Sequence, residues 1–203
     1  MREIPILFSG PMIRAILTGR KTQTRRALKP QPQEDIGLHL AERPLRWAPG
    51  DRLWVRETLT VNGDGLEYAA DGEICHNLFD ADTNAEAATE LWNRRAHIDG
   101  PDLHPMAVPS IYMPRWACRI TLDVTDVRVE RLQVISEADA LAEGARTEMN
   151  NWTHDVDSFW FKTARLSFQH LWDTINGPSS WDANPWVAVI TFQRVLAGSA
   201  ING

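Results

Sequence analysis

The chain has few of the features that would mark a secreted or membrane-spanning protein. Among its 203 residues are only two cysteines, Cys75 and Cys118, so we do not expect the disulfide framework of a small secreted domain. No apolar run is long enough to cross a bilayer, and the first residues lack the pattern of a signal peptide. The sequence therefore predicts a cytoplasmic protein with no membrane partner.

Motifs for metals and for common cofactors are also missing. The six histidines are dispersed without an H-x-x-x-H spacing, no C-x-x-C is present, and Cys75-His76 is only an adjacent pair. There is no P-loop and no G-x-G-x-x-G fingerprint. His170 falls on an apolar helical stripe, which is more typical of a core histidine than of a ligand or base. We therefore expect neither a metal site nor a cofactor.

Positive charge is scarce overall and concentrated in one place. Lys plus Arg number 21 and Asp plus Glu number 27, which gives a formal net charge of −6. From Arg14 to Lys29, however, basic residues occur without any acidic one. A single basic segment on an acidic protein suits one local pocket better than a long polyanion, whose binding grows with the phosphates neutralised. The alternative is a solvated face paired with surface acids.

The basic segment follows a short predicted helix. Ser9 suits the N-cap, Pro11 fits the first turn, and Gly19 suits the left-handed residue that ends many helices. Apolar residues recur on one face at helical spacing: Met12, Ile13, Ile16 and Leu17. The pattern predicts an amphipathic helix that runs into a cationic turn bearing threonines.

The run G-R-K-T-Q-T-R-R after this helix, followed by G-D-R-L-W-V-R-E, resembles the ASCH domain family, relatives of the PUA RNA-binding domains. Small bacterial members of that family deacetylate N4-acetylcytidine, and their G-x-K-T-x-T-x-R motif supplies a lysine base and a threonine nucleophile. The resemblance implies Lys21 as the base, Thr24 as the nucleophile and Arg26 as the motif arginine. Glu143, in A-L-A-E-G, matches the glutamate that donates a proton.

The resemblance covers roughly residues 4–192, and the chain departs from the small enzymes in two respects. It is much longer than they are, and Arg25 stands where they have an apolar residue. Its sequence is more similar to larger ASCH-like proteins of phages and prophages. The added length favours an additional partner, such as another protein.

The chemistry sets conditions on these residues. Thr24 needs a neighbouring base, and Lys21 can act as one only if burial or nearby cations lower its pKa. On a straight strand the two side chains would lie about 10 Å apart and point to opposite faces, so the chain must bend between them or the lysine must fold back. Glu143 falls at a helix C-terminus, where the macrodipole disfavours its charge by about 0.3–1 kcal/mol, as a proton donor requires. Arg26 or a backbone N–H is the candidate oxyanion donor.

Base recognition requires a flat side chain for stacking. Trp54 and Trp116 flank the arginines Arg56 and Arg115, so these four are candidates to line a substrate pocket, although packing is the commoner role of a tryptophan. Glu57 could accept a hydrogen bond from a cytosine amino group or pair with Arg56.

The order of predicted elements indicates the fold class. Strands are predicted over 4–8, 52–58, 119–129 and 186–195, and helices over 83–95, 136–143 and 155–175. The last strand is apolar on both sides and is expected to be central, and Phe159 and Trp160 fall on the buried stripe of the last helix. The proline-containing segment 27–49 is expected to be irregular. They do not alternate as βαβ units, so the chain is expected to be α+β. The resemblance implies a PUA-like small mixed β-barrel flanked by helices. We expect one domain over 1–203, with an inserted hairpin and helix at about 62–104.

Three functions remain open from the sequence. The first is an amidohydrolase acting on an acylated cytidine-type nucleoside or base. The second is a non-catalytic module that binds single-stranded RNA or a modified nucleobase through the same pocket, and the third is a ribonuclease.

Overall fold

The computed structural model describes residues 1–33, 36–61, 65–77, 82–96, 106–148, 151–154 and 159–196. The chain is a mixed α+β protein that divides into two compact units. Unit 1 comprises Met1–Glu3, Ala15–Arg52 and Leu122–Gly203, and unit 2 comprises Ile4–Arg14 and Leu53–Thr121. The described strands form several sheets, and none of these closes into a barrel. About a third of the predicted insertion at about 62–104 lies outside the described residues, namely 62–64, 78–81 and 97–104.

The elements follow one another in this order: β1 (Glu3–Leu7), α1 (Gly10–Leu17), β2 (Gln23–Ala27), α2 (Ile36–Glu42), β3 (Arg52–Arg56), β4 (Leu59–Val61), β5 (Gly65–Tyr68), β6 (Ile74–Asn77), α3 (Ala85–Ala96), β7 (Met106–Val108), β8 (Thr121–Arg131), α4 (Glu137–Ala142), β9 (Arg146–Glu148), β10 (Asn151–Thr153), α5 (Ala164–Asn176) and β11 (Trp186–Arg194). Short 3₁₀ turns lie at Ser110–Tyr112, Arg115–Ala117 and Leu132–Val134.

Strand β11 is the centre of unit 1. It pairs antiparallel with β8 on one side and with β2 on the other. Its residues from Val187 to Ile190 are completely buried, because side chains on both faces of the strand are covered. The run of apolar residues without alternation had predicted such a central strand, and the prediction is confirmed. In the register, Ile190 lies opposite Thr24 of β2.

Helices α4 and α5 of unit 1 begin at polar caps. The Ser136 hydroxyl accepts a hydrogen bond from the Asp139 N–H at 3.1 Å, as the capping pattern predicted. The Thr163 hydroxyl caps α5 in the same way, accepting from the Leu166 N–H at 3.1 Å. The carboxylate of Glu137 accepts from two further N–H groups of the first turn of α5, which ties the two helices together.

The predicted start of the last helix is wrong. Residues 155–158 lie outside the described part, and the helix begins at Ala164, after its Thr163 cap. Phe159 and Trp160 were expected on the buried stripe of this helix, but they precede it and are exposed. The apolar periodicity continued through a residue whose side chain ends the helix, and a hydroxyl cap is the stronger local signal. The segment 27–49, expected to be irregular, contains the helix α2.

Unit 2 contains an antiparallel sheet of four short strands in the order β6-β5-β4-β7. Helix α3 contributes Ala88 to the apolar cluster on this sheet, which also includes Leu59, Leu66 and Val108. The predicted helix over 83–95 is therefore confirmed. The Tyr68 hydroxyl, at the edge of this cluster, donates to the Ala117 carbonyl at 2.8 Å.

Arg119 contacts one aromatic and three acidic side chains of unit 2. Its guanidinium lies 3.8 Å from the centre of the Tyr68 ring and donates to the buried Glu57 carboxylate at 2.8 and 3.1 Å. It also pairs with Asp71 and Glu73. Burial raises the pKa of Glu57, and the hydrogen bonds from Arg119 oppose that rise.

We expect Arg119→Leu to lower the free energy of unfolding by about 3–5 kcal/mol at neutral pH, because it leaves the Glu57 carboxylate buried without a counter-charge. The penalty should fade as the pH falls below the pKa of Glu57, where that carboxyl is uncharged. Urea denaturation of both proteins across this pH range measures it. The control Glu73→Gln removes an exposed partner and should cost less than about 1 kcal/mol. An equal loss in both variants would contradict the assignment.

Candidate functional site

The turn between α1 and β2 carries Lys21 into the interior of unit 1. Gly19 has a φ of 75°, a conformation that favours glycine, and its N–H donates to the Ile16 carbonyl at 3.0 Å. The Lys21 N–H then donates to the Ala15 carbonyl at 3.0 Å, and the Lys21 backbone forms an antiparallel bridge with Glu143. The backbone of Lys21 is therefore held by both Ala15 and Glu143.

Lys21 and Glu143 form a buried ion pair. The Lys21 Nζ donates to Glu143 Oε2 at 2.7 Å and to the Glu143 carbonyl at 2.9 Å. The Lys21 side chain is 0% exposed and that of Glu143 is 3% exposed. Arg25 Nη1 donates to the other carboxylate oxygen, Oε1, at 3.1 Å. Each oxygen of this carboxylate is thus held by its own cation.

Glu143 is positioned by the end of α4. It is the C-cap residue, and its N–H donates to the Asp139 carbonyl at 2.9 Å. Gly144 follows with a φ of 108°, and a Cβ at this position would lie 3.1 Å from the Cβ of Lys21. Glycine therefore both permits the turn and leaves room for the Lys21 side chain, which explains why glycine follows Glu143 in this motif.

Arg25 connects the pair to further acids. Its Nη1 donates to Gln23 Oε1 at 2.7 Å, and its Nη2 lies 2.8 Å from Glu130 Oε1 and 3.2 Å from Asp139 Oδ2. Arg128 pairs with the same two acids from a more exposed position. The Arg25 Nε is buried without a hydrogen-bond partner in the described part of the chain. Three cations and three carboxylates form one network around this guanidinium, which we call the Arg25 network.

The surroundings of Lys21 lower the pKa of its amine. Burial is the main cause that lowers the pKa of Lys21, and the charges of Arg26 and Arg25 lower it further, whereas Glu143 opposes the shift. The lowered pKa is the property that the sequence analysis required of a lysine base. Burial likewise lowers the pKa of Arg26, which stays partly exposed, and Glu143 again opposes the shift.

Thr24 lies on the opposite face of β2 from the Arg25 network. Gln23 and Arg25 share one face, as their mutual hydrogen bond shows, and alternation along the strand directs Thr24 and Arg26 to the other. Thr24 is buried, and its hydroxyl makes no hydrogen bond within the described residues. The structure thus brings together Lys21 and Glu143, and no hydrogen bond joins Thr24 to the lysine.

A buried histidine near this site was missed by the sequence analysis. His154 Nδ1 lies 2.6 Å from the Ser167 Oγ, and its Nε2 is buried without a hydrogen-bond partner among the described residues. Burial lowers the pKa of His154 to about 3, and the charge of Lys21 contributes to the shift. His154 is therefore neutral near pH 7. No spacing in the sequence connects it to Ser167, so no pattern could have found the pair.

The other predicted substrate-binding residues lie in unit 2, and most contact one another. The Trp54 ring is buried, with the guanidinium of Arg56 at 4.6 Å and that of Arg115 at 5.7 Å from its centre. Arg56 also donates to the Ile111 carbonyl at 3.0 Å. The two arginines that were expected to line a pocket with Trp54 therefore contact its ring.

The two remaining candidates, Glu57 and Trp116, both contact other side chains of unit 2. Glu57, for which a cytosine amino group or Arg56 had been considered, is paired with Arg119. Trp116 packs against the apolar cluster of unit 2, and its ring contacts that of His76 edge-on at 6.1 Å.

Two general features complete the description of the site. Within residues 1–33 and the other described ranges, no group of three or more His, Cys, Asp or Glu side chains is placed to hold a metal ion. None of the described helices has the length and apolar character needed to cross a membrane.

The buried histidine predicts a pH dependence of stability. The unfolded chain binds a proton on residue 154 near pH 6.5, whereas folded His154 does so only near pH 3. The free energy of unfolding should therefore fall by up to about 1.4 kcal/mol for each pH unit as the pH decreases from 6.5 towards 3. The variant His154→Asn retains a polar group beside Ser167 but cannot titrate, so its stability should fall less steeply. Urea denaturation from pH 8 to pH 4 measures both slopes, and identical slopes would contradict a neutral buried histidine.

No protein-family model, curated protein or solved structure matches this chain. The likeness to ASCH domains therefore stays an expectation that depends on the residues quoted above.

Proposed function

We propose that this chain is an amidohydrolase that acts on an acylated cytidine-type nucleoside or base, with N4-acetylcytidine as the test substrate. The proposal includes the PUA-like fold that the ASCH resemblance implies. One observation supports it above all: Lys21 and Glu143, which are 122 positions apart in the sequence, meet in the interior with 2.7 Å between Nζ and Oε2. These are the base and the proton donor that the resemblance implied.

The reaction needs one proton to move within this ion pair. Amide hydrolysis requires an uncharged amine to accept the threonine proton and a protonated carboxyl to donate to the leaving amine. Transfer of one proton from Lys21 to Glu143 along their hydrogen bond produces both forms at once. Burial and the neighbouring arginines favour loss of the lysine proton. Arg25 donates to the same carboxylate at 3.1 Å.

The reaction then proceeds by acyl transfer to Thr24, followed by hydrolysis. The Thr24 oxygen attacks the acyl carbon, and the hydroxyl proton passes to the Lys21 amine. The carbon–nitrogen bond breaks, the exocyclic amine leaves with the proton from Glu143, and an ester remains on Thr24. Water hydrolyses this ester to release acetate. Arg26, on the same face of β2 as Thr24, is the side chain that can stabilise the developing oxyanion.

Substrate entry requires a local rearrangement. The Lys21 side chain has no exposed surface, and no hydrogen bond within the described residues joins it to the Thr24 hydroxyl. The surroundings of the pair must therefore rearrange before the amine and the hydroxyl can reach the same acyl group. Catalytic contacts commonly tighten only in the substrate complex.

A non-catalytic module that binds RNA or a modified nucleobase is the second candidate. The observation that favours it is the position of Thr24 across the strand from Arg25, without a hydrogen bond to the proposed base. In this case the Arg25 network has a structural role, and the ligand is bound without turnover.

The experiment is turnover of N4-acetylcytidine by the purified protein, followed as release of cytidine and acetate. We expect Thr24→Val and Lys21→Met each to lower kcat at least about 100-fold, since each removes one partner of the nucleophile–base pair. Thr22→Val is the matched control, because Thr22 lies two positions away with an exposed side chain, and it should retain activity. Thermal melting must show that each variant is folded.

Full activity in Thr24→Val would overturn the mechanism. A wild-type protein that binds N4-acetylcytidine or single-stranded RNA without turnover would instead establish the binding module.

A further inference from the structure

Unit 1 contains a cavity next to helix α2 that the proposed reaction does not use. Its volume is about 440 Å³, which lies within the 300–1,000 Å³ typical of small-molecule sites. The end of β2 and the segment after it form one wall, and α2 with the loop that follows forms the other. The lining residues are Ala27, Leu28, Lys29, His39, Leu40, Arg43, Pro44, Leu45, Arg46 and Trp47.

The cavity is cationic. Lys29, Arg43 and Arg46 line it, and none of the described lining residues is acidic. Lys29 and Arg43 are exposed, and neither forms an ion pair within the described residues. On a chain with a net charge of −6, such a concentration of cations attracts an anion to one place.

The cavity also offers a flat apolar surface with one unused donor. The Trp47 ring is half-buried, and the Arg46 guanidinium lies 5.9 Å from its centre. Its indole Nε1 is buried without a hydrogen-bond partner among the described residues. Buried N–H groups without a partner are costly and rare, and this one belongs to a ring that lines the cavity. Leu40 and Leu45 add apolar surface beside the ring.

We infer that this cavity binds a nucleotide, with Lys29 and Arg43 contacting its phosphate and Trp47 contacting its base. Inorganic phosphate would use the cations but not the indole and leucine surface, and an uncharged nucleoside would leave the cations unused. The shared chemistry, a phosphate attached to an aromatic base, can come from a free nucleotide or from the end of an RNA strand. The inference stands on contacts separate from the Arg25 network and does not rest on the proposed hydrolysis.

Calorimetric titration of the full chain with adenosine 5′-monophosphate tests the inference. An adenine nucleotide is chosen because the proposed reaction takes an acylated cytidine, so the two sites are probed separately. We expect this nucleotide to bind at least about tenfold more tightly than adenosine or inorganic phosphate, since only it engages both the cations and the ring. A 5′-phosphorylated adenylate tetranucleotide that binds more tightly than the mononucleotide would identify RNA as the source, and equal affinity would identify a free nucleotide.

Variants locate the binding. Lys29→Ala combined with Arg43→Gln should raise Kd at least about tenfold, and Trp47→Phe, which keeps a ring but removes the N–H, should raise it less. Lys162→Ala is the matched control, because Lys162 is exposed outside the cavity, and it should leave Kd unchanged. Absence of nucleotide binding, or equal affinity in the double variant and in Lys162→Ala, would overturn the inference. Because the cavity variants leave Lys21 and Thr24 intact, they should still release acetate from N4-acetylcytidine.

Discussion

The ion pair between Lys21 and Glu143 is the constraint on which the arrangement of unit 1 depends. Removing two charges from water costs several kcal/mol per ion, and this cost is offset only when both groups have close partners. Here the carboxylate has a cation on each oxygen, and the lysine also donates to the carbonyl of Glu143. The backbone bridge between the two residues joins the turn before β2 to the end of α4. The ion pair and this bridge together fix how the two segments lie.

Strand alternation divides the chemistry of β2 between two faces. On one face, Gln23 and Arg25 take part in the Arg25 network, and on the other lie Thr24 and Arg26. Burying the charge of Arg25 costs free energy, and the carboxylates of Glu130, Asp139 and Glu143 around it offset that cost. The Arg25 guanidinium donates to the Glu143 carboxylate at 3.1 Å, so that Lys21 and Arg25 share this acid.

Local signals in the sequence predicted much of the fold. The apolar run over 186–195 indicated a central strand, and Ser136 marked the start of α4, because both depend on neighbours in the chain. The start of α5 was misplaced because the apolar period continued past the Thr163 cap, and α2 was missed among prolines and charges. These errors arise where two local signals compete.

The site was less predictable than the fold. Glu143 was chosen through the family resemblance, since nothing in its spacing from Lys21 indicates contact. Arg25 was treated only as a nearby like charge, because its three acidic partners come from β8 and α4 and meet only in the folded chain. His154 and Ser167 were not considered for the same reason. Long-range polar networks are set by tertiary structure, and a single sequence carries no record of them.

The most direct test of the central claim is the titration of the Lys21 amine itself. The chain has only three lysines, Lys21, Lys29 and Lys162, so ¹⁵Nζ-labelled lysine gives signals that Lys→Arg variants at the other two positions can assign. The account predicts that the Lys21 Nζ titrates below the ordinary lysine pKa and that its signal changes in Glu143→Gln. A Lys21 amine that titrates at the ordinary value and ignores this substitution would contradict the account.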